Sequence, residues 1–192
     1  MIKFGPSGNS DSFYETCKQS TQAAAWCYAR GLNAYEYSFA RGTNISNETL
    51  QALGEAFANY DIEITVHAPY FINFAQSDAQ MVEKSCQYIL QSLEKMKYLK
   101  AKRLVFHPGS LTKQTRDVAM KNVLSNLKLL RDKIYAQGLQ DFILCPETMG
   151  KHGQIGTVSE VIEMCKIDPI FMPALDFGHI NAYQGGSLKT EY

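Results

Sequence analysis

Short apolar stretches alternate along the chain with longer segments in which apolar residues recur every three or four positions. Four of the short stretches meet a proline or glycine near their end, and the one that runs into His107 also lacks polar alternation, which is typical of a strand covered on both faces. These stretches are residues 62–67, 103–107, 142–147 and 171–176. Between them, the helical period predicts helices at about 78–99, 115–137 and 157–166. The pattern therefore predicts parallel strands that are each followed by a helix.

The first sixty residues continue this alternation. We expect a first strand at 2–6, a helix at about 20–30 that ends before Gly31, an aromatic strand at 34–39 and a helix capped by Ser46. The chain then contains six βα units at a spacing of about 30 residues, with no linker between them. In the helix at 115–137, the predicted inward positions are Val118, Val123, Leu127, Leu130 and Ile134.

Polar side chains collect at the carboxyl ends of these strands, which favours an α/β fold of the (β/α)₈ TIM-barrel type over an open sheet. Such barrels usually need about 250 residues, whereas this chain has 192. We therefore expect a single barrel domain, residues 1–192, that is truncated after about six βα units, with a sixth helix starting near Gly185. Open sheet edges are exposed to aggregation, so we expect this segment alone to be inactive and poorly stable.

The composition is that of an ordinary globular protein, with 45% hydrophobic and 20% charged residues. The charges of the 19 basic and 19 acidic residues cancel, so the net charge gives no indication of nucleic-acid binding. A local basic patch is compatible with this balance. No apolar run approaches the about 20 residues of a membrane span. Five cysteines without a CxxC pair indicate reduced thiols in a cytoplasmic protein.

Candidate metal ligands lie at the ends of four successive predicted strands. They are His67, His107, Glu147, Asp176 and His179. Imidazoles and carboxylates together suit Zn²⁺, Mn²⁺ or Fe²⁺, and a carboxylate can bridge two ions that act on one displacement. We expect Asp176 and His179 to serve neighbouring ions, because their short separation along the chain does not indicate a shared one.

Each of these residues also has an ordinary explanation. A strand-end histidine is more often hydrogen-bonded structure than a ligand, Glu147 could interact with a helix dipole, and Asp176 could pair with an arginine. The fourth histidine, His152, lies in a glycine-flanked loop and is expected to be exposed. Because three of the four histidines fall at strand ends, the joint pattern favours a metal site over coincidence.

Three weaker features accompany these candidate ligands. Tyr70 and Asn73 follow His67 closely and are candidates for substrate binding, as is Arg41, which could meet a phosphate. A loop tyrosine and a solvated arginine need no function, however. The stretch 185–187, Gly-Gly-Ser, is typical either of a lid or phosphate loop or of a plain turn.

Four motifs resemble, in order and spacing, those of the endonuclease IV family of apurinic/apyrimidinic endonucleases. They are His-Ala-Pro-Tyr-x-x-Asn at 67–73, Phe-His-Pro-Gly-Ser at 106–110, Pro-Glu-Thr at 146–148 and Leu-Asp-x-x-His at 175–179. The resemblance implies a DNA-repair hydrolase that cleaves duplex DNA 5′ to abasic sites and works as a monomer when complete.

The resemblance also implies a zinc centre of two or three ions, with Mn²⁺ as an alternative. His67 and His107 would hold one zinc, Glu147 would be the catalytic bridge to a second that Asp176 binds, and His179 would belong to a third. Tyr70 would enter the abasic gap, and the family's remaining ligands would lie beyond Tyr192.

Two other functions stay open on the residues alone. A divalent-metal sugar isomerase or epimerase of the same barrel superfamily would use Glu147 and Asp176 as ligands and a small sugar as substrate. A barrel that has lost its site and serves only in binding is the third possibility.

Overall fold

The structure is a computed structural model that describes residues 2–40 and 42–189. Its helices are α1 Asp11–Tyr14, α2 Ala23–Tyr28, α3 Asn47–Ala58, α4 Ala79–Leu99, α5 Arg116–Ala136, α6 Val158–Cys165 and α7 Phe177–Tyr183. Its strands are β1 Ala34–Ser38, β2 Glu63–His67, β3 Arg103–Phe106, β4 Gly109–Ser110, β5 Ile143–Pro146 and β6 Gln154–Ile155.

Four strands form one parallel sheet in the order β1-β2-β3-β5. Their register places Tyr37 beside Val66, Val66 beside Leu104, and Leu104 beside Leu144. Because each strand runs in the same direction, all four carboxyl ends lie at the same edge of the sheet. The predicted alternation of parallel strands with intervening helices is confirmed in this part of the chain.

The first and sixth predicted strands are present only as extended segments at the two sides of this sheet. On one side the amide of Glu36 donates to the carbonyl of Pro6 at 3.0 Å, and on the other the amide of Met172 donates to the carbonyl of Leu144 at 2.9 Å. Both segments contain a proline, Pro6 or Pro173, which has no N–H to give to a ladder. They extend the sheet without the regular pairing that was predicted.

Helices α3, α4 and α5 begin within one residue of their predicted starts, and side chains cap two of them. The Ser46 side chain accepts a hydrogen bond from the amide of Thr49, and Asp78 accepts from the amide of Gln80 at 2.8 Å. Helix α4 packs against both α3 and α5, and α5 buries Leu127 and Leu130 completely. Val118 was wrongly predicted to face inward, because it is 47% exposed and the inward position on that turn belongs to Ala119.

The last part of the described chain differs most from the sequence-based expectation. Helix α7 begins directly after Asp176 instead of near Gly185, and it ends at Tyr183. Gly185 and Gly186 adopt positive φ angles of 65° and 88°, and the Gly186 amide donates to the carbonyl of Asn181. The stretch at 185–187 is therefore the turn that ends a helix.

The strand β4 pairs with β6 in a two-stranded antiparallel sheet that was not predicted, since each strand has only two residues. Among the helices of the described residues, none combines the length and the apolar character that crossing a membrane requires.

Gly54 marks the closest approach of helix α3 to helix α4. A Cβ atom at this position would lie 2.4 Å from the carbonyl oxygen of Tyr98 and 2.9 Å from the carbonyl carbon of Leu99. Backbone atoms cannot move aside as a flexible side chain would, so only glycine fits between these two helices.

We therefore predict that Gly54→Ala lowers the free energy of unfolding by about 1–3 kcal/mol, the usual cost of overpacking. Alanine normally stabilises a helix interior relative to glycine by up to about 1 kcal/mol. The predicted loss of stability is therefore opposite to what helix propensity alone would give. Urea melts monitored by circular dichroism measure the change. Gly153→Ala is the control, because a Cβ there meets nothing within 4 Å. Equal stability of Gly54→Ala and the parent chain would contradict the close approach.

Candidate metal centre

The sheet brings three of the predicted ligands to one edge. His67 is the last residue of β2, His107 follows the end of β3, and Glu147 follows the end of β5. Since β2, β3 and β5 are adjacent parallel strands, these side chains leave the sheet side by side. The sequence pattern of apolar run, polar residue and breaker thus predicted the correct edge.

Glu147 is the centre of the arrangement. Its Oε2 atom lies 3.3 Å from Nε2 of His67 and 3.1 Å from Nε2 of His107. Its Oε1 atom points to the other side, where Nδ1 of His179 lies 3.8 Å away. Glu147 is only 9% exposed and His67 only 7%, so the carboxylate has lost most of its hydration and depends on these imidazoles.

Helix α7 brings the two remaining ligands to Glu147. Asp176 caps this helix, and its Oδ1 atom accepts a hydrogen bond from the amide of His179 at 2.8 Å. The first helical turn folds His179 back over the cap, so that His179 Nδ1 lies 3.4 Å from Asp176 Oδ2.

Two groups of potential ligands share Glu147. The first is His67, His107 and Glu147, and the second is Glu147, Asp176 and His179; within each group the ligand atoms lie within 4.8 Å of one another. Nitrogen and carboxylate donors at this spacing fit Zn²⁺, Mn²⁺ or Fe²⁺. Asp176 and His179 can hold one ion together with Glu147, contrary to the expectation that their spacing separates them. The assignment of His179 to a third ion stays a prediction.

Backbone carbonyls orient two of the imidazoles. Nδ1 of His67 lies 2.8 Å from the carbonyl oxygen of Ala68, and a proton on that nitrogen leaves Nε2 free to bind a metal. Nδ1 of His179 lies 2.9 Å from the carbonyl oxygen of Thr148. The Thr148 hydroxyl in turn accepts a hydrogen bond from the amide of Asp176 at 2.9 Å. Sequence reasoning missed these partners, because a carbonyl oxygen leaves no signal in the residue pattern; the buried threonine after Glu147 was the only visible sign.

The ionisation of the pair Glu147–His67 is set by burial and by mutual attraction. Burial raises the pKa of Glu147, but hydrogen bonds from His107 and His67 and the charges of both rings outweigh it and lower the pKa to about 2. Burial lowers the pKa of His67, but the hydrogen bonds to Glu147 and to the Ala68 carbonyl, with the charge of Glu147, raise it above the ordinary value of 6.5. Protons therefore compete with a metal at this site more strongly than at a free histidine.

The candidate substrate-binding residues have different surroundings. Tyr70 is 54% exposed, and its ring is stacked on that of His107 with centroids 5.1 Å apart and an angle of 29° between the planes. Asn73 is half-buried and directs its carboxamide to the loop after β3. Arg41 lies outside the described residues. His152 is exposed, as predicted, packs against Tyr183 and belongs to neither ligand group.

The chain belongs to the xylose isomerase-like TIM barrel family, whose model matches residues 24–191. This match confirms the predicted fold class. Among curated proteins, an uncharacterised protein of Methanocaldococcus jannaschii is 32% identical over 158 residues, which cover 82% of this chain and 56% of that protein. A probable endonuclease 4 of Ureaplasma urealyticum is 34% identical over 100 residues, covering 51% of this chain and 32% of that protein. The predicted resemblance to the endonuclease IV family is thereby confirmed.

Solved structures of the same fold include proteins from both functional branches considered above. A D-tagatose 3-epimerase-like protein superimposes with a TM-score of 0.71 at 24% identity, covering 94% of this chain and 67% of that one. Endonuclease IV from Thermus thermophilus superimposes with a TM-score of 0.60 at 23% identity, covering 93% of this chain and 64% of that one. The chain spans about half the length of its M. jannaschii relative and about a third of the Ureaplasma protein.

We predict that the chain binds a divalent metal through His67, His107, Glu147 and Asp176. Replacing His107 by alanine removes one nitrogen donor and leaves Glu147 partly unpaired, so the Zn²⁺ affinity should fall at least about tenfold. Elemental analysis and competition with a chromophoric chelator measure content and affinity. His152→Ala is the matched control, because this histidine is exposed and outside both ligand groups. Equal zinc content in the parent chain and in His107→Ala would disprove the site.

We further predict opposite pH dependences of stability for the metal-free and zinc-loaded protein. Without metal, the ion pair Glu147–His67 is complete above the ordinary pKa of 4.5 for Glu147 and below that of 6.5 for His67, and it weakens as the pH rises through the raised pKa of His67. With zinc, the same deprotonation frees a ligand, so the metal stabilises more as the pH rises.

Thermal melts in chelator and in excess Zn²⁺ between pH 5.5 and about 8.5 test this, and Glu147→Gln should remove most of both trends, because it removes the partner of His67. Parallel pH profiles with and without zinc would contradict the coupling.

Proposed function

We propose that the protein is a metal-dependent phosphodiester hydrolase that acts on duplex DNA at abasic sites, as the endonuclease IV family does. One observation carries the proposal: a single buried carboxylate, Glu147, is shared by two groups of ligands. Two ions bridged by a carboxylate can stabilise both the attacking and the leaving oxygen of an in-line displacement at phosphorus. Zn²⁺ suits the imidazoles of this centre, in two or three copies in the complete protein, with Mn²⁺ as the alternative.

The chain's own residues have distinct tasks in this proposal. Glu147 bridges the two groups, and His67 and His107 complete the first of them on the buried side. Asp176 and His179 complete the second group on the more open side. The resulting cluster concentrates positive charge at the edge of the sheet once it is loaded, where a phosphate can approach it.

Tyr70 supports a DNA substrate. More than half of its surface is exposed although its ring covers His107, so the tyrosine stands directly over the metal centre. An exposed aromatic ring beside a phosphate-binding centre can stack on a base next to a gap. In our proposal Tyr70 fills the space of the missing base and places the adjacent phosphate over Glu147. Arg41 remains proposed as a further contact of the substrate.

The similarity to proteins described as probable endonuclease 4 supports the same function. Those matches cover about a third of each relative, so the activity of a whole protein is part of the proposal. The five cysteines are free thiols and agree with a cytoplasmic protein, which we propose to act on DNA as a monomer.

A sugar epimerase is the second candidate, and a specific observation favours it. A D-psicose 3-epimerase crystallised with D-fructose shares the fold with a TM-score of 0.71. The group of Glu147, Asp176 and His179 is sufficient for one divalent ion, which is what a sugar reaction on carbon would need. The first group distinguishes the candidates, because His67 and His107 give the site a second place for an ion.

We predict that the complete protein nicks a duplex carrying a tetrahydrofuran abasic analogue and leaves the undamaged duplex intact. Tyr70→Ala should lower the preference for the abasic duplex about tenfold or more, since one aromatic–base stack contributes about 1–3 kcal/mol. Its zinc content should stay unchanged, because Tyr70 supplies no ligand.

Gel assays with end-labelled duplexes measure cleavage. Tyr28→Ala is the matched control, because this tyrosine is similarly exposed, at 61%, and its ring packs at a tilt against that of Tyr60, far along the chain from the ligands. Epimerisation of D-fructose without any cleavage of abasic DNA would replace our proposal by the sugar reaction.

A further inference from the structure

The Asn73 carboxamide joins the two loops that flank the metal centre. Asn73 lies in the loop between β2 and α4, and its Oδ1 atom accepts a hydrogen bond from the amide of Ser110, in β4, at 3.1 Å. Its Nδ2 atom donates to the Ser110 hydroxyl at 3.3 Å. The same Oδ1 atom accepts from the amide of Ala75, within its own loop, at 3.0 Å. We call these three contacts the Asn73 bracket.

The loop after β3 is shaped to receive the bracket. Gly109 has a φ of 144°, and a Cβ atom on it would lie only 2.2 Å from Asn73 Oδ1 and 3.0 Å from the amide nitrogen of Ala75. Any other residue would push the two loops apart. A backbone hydrogen bond from the amide of Phe74 to the carbonyl of Pro108, at 2.9 Å, lies beside the bracket.

The bracket matters for His107 because regular pairing ends before this residue. Strand β3 ends at Phe106, so the position of His107 depends on the turn at 108–110, which the bracket holds on one side and the pairing of β4 with β6 on the other. Tyr70 lies three residues before Asn73 in the opposite loop and stacks on the His107 ring. Fixing the two loops against each other therefore fixes the ligand and the aromatic ring that covers it.

The carboxamide has little left to offer a substrate. Oδ1 can accept two hydrogen bonds, and the amides of Ala75 and Ser110 already donate both. One of the two Nδ2 hydrogens is donated to the Ser110 hydroxyl. The backbone amide of Asn73 is also engaged, since it donates to the Ser85 hydroxyl on α4 at 3.1 Å.

We propose that Asn73 is a positioning residue of the metal centre: it holds His107 and Tyr70 in place through the two loops and does not itself contact the substrate. This inference deepens the proposed function and rests on its metal centre, but not on the identity of the substrate. It replaces a direct role of Asn73 in substrate binding by an indirect role in metal binding.

Two substitutions at Asn73 distinguish the effect of its hydrogen bonds from the effect of its side-chain volume. Asn73→Leu keeps a similar volume but leaves the amides of Ser110 and Ala75 without an acceptor. Asn73→Asp keeps both acceptances, and the Ser110 hydroxyl can rotate to donate to the new carboxylate. We expect Asn73→Leu to weaken Zn²⁺ binding about tenfold, as loss of outer partners of ligands does, and Asn73→Asp to restore it.

Asn126→Leu is the matched control for general loosening of the loop. The Asn126 side chain donates to the carbonyls of Phe74 and Gln76, at 2.8 and 2.9 Å, so it holds the same loop to α5 without touching the turn at 108–110. Both leucine variants should lower the melting temperature, but only Asn73→Leu should weaken metal binding.

The full 192-residue chain is assayed in three ways. Chelator competition gives the Zn²⁺ affinity, the visible spectrum of the Co²⁺-loaded protein reports ligand geometry, and NMR of the metal-free protein detects the contact between the Tyr70 and His107 rings. We expect Asn73→Leu to lose that ring contact and to change the cobalt spectrum, whereas Asn126→Leu and Asn73→Asp keep both. If Asn73→Leu does not fold, Ser110→Ala removes one contact of the bracket and should change affinity in the same direction, by less.

Three results would overturn the inference. The first is unchanged zinc affinity and ring contact in Asn73→Leu and Ser110→Ala, and the second is equal losses of both in Asn73→Leu and Asn126→Leu. Loss of abasic-DNA cleavage in Asn73→Leu with unchanged zinc affinity would also overturn it, because a direct contact with the substrate would then explain the data. A complete protein that binds zinc but cuts no abasic DNA would contradict the proposed function alone.

Discussion

The structure depends on the burial of the Glu147 carboxylate at the edge of the sheet, which costs desolvation free energy. A carboxylate without water is tolerated only where donors or cations replace the water, and here two imidazoles on neighbouring strands do so. The parallel order of β2, β3 and β5 is what puts those three side chains within reach of one another. Fold and site are therefore a single arrangement, because the strand order that builds the sheet also supplies the partners of Glu147.

The parts of this arrangement that follow from local rules could be predicted from the sequence. An apolar run that ends in a polar residue and a proline identified His67 and His107 as strand-end side chains, and the structure has them there. The caps Ser46 and Asp78 set the starts of two helices because a side-chain oxygen satisfies free amides at a helix start. The clustering of the three side chains at the ends of β2, β3 and β5 followed from the direction that parallel strands share.

The parts that depend on backbone atoms and on tertiary contact could not be predicted. The carbonyls of Ala68 and Thr148 orient histidines, but every residue has a carbonyl, so no residue type indicates them. Asn73 looked like a substrate contact because an exposed and a bracketing asparagine are identical in sequence. Helix α7 has only seven residues, which is too short for a periodic signal, and its cap Asp176 was interpreted as the end of a strand.

The double use of Asp176 affects how any change at this residue is interpreted. One oxygen of its carboxylate caps helix α7, while the other faces His179 in the second ligand group. A short helix has little stability of its own, so its order depends on that cap. Neutralising Asp176 removes a proposed ligand and loosens the segment that carries His179 in the same step. A loss-of-function mutation at Asp176 therefore changes metal coordination and local folding together. The size of the resulting defect measures neither effect alone.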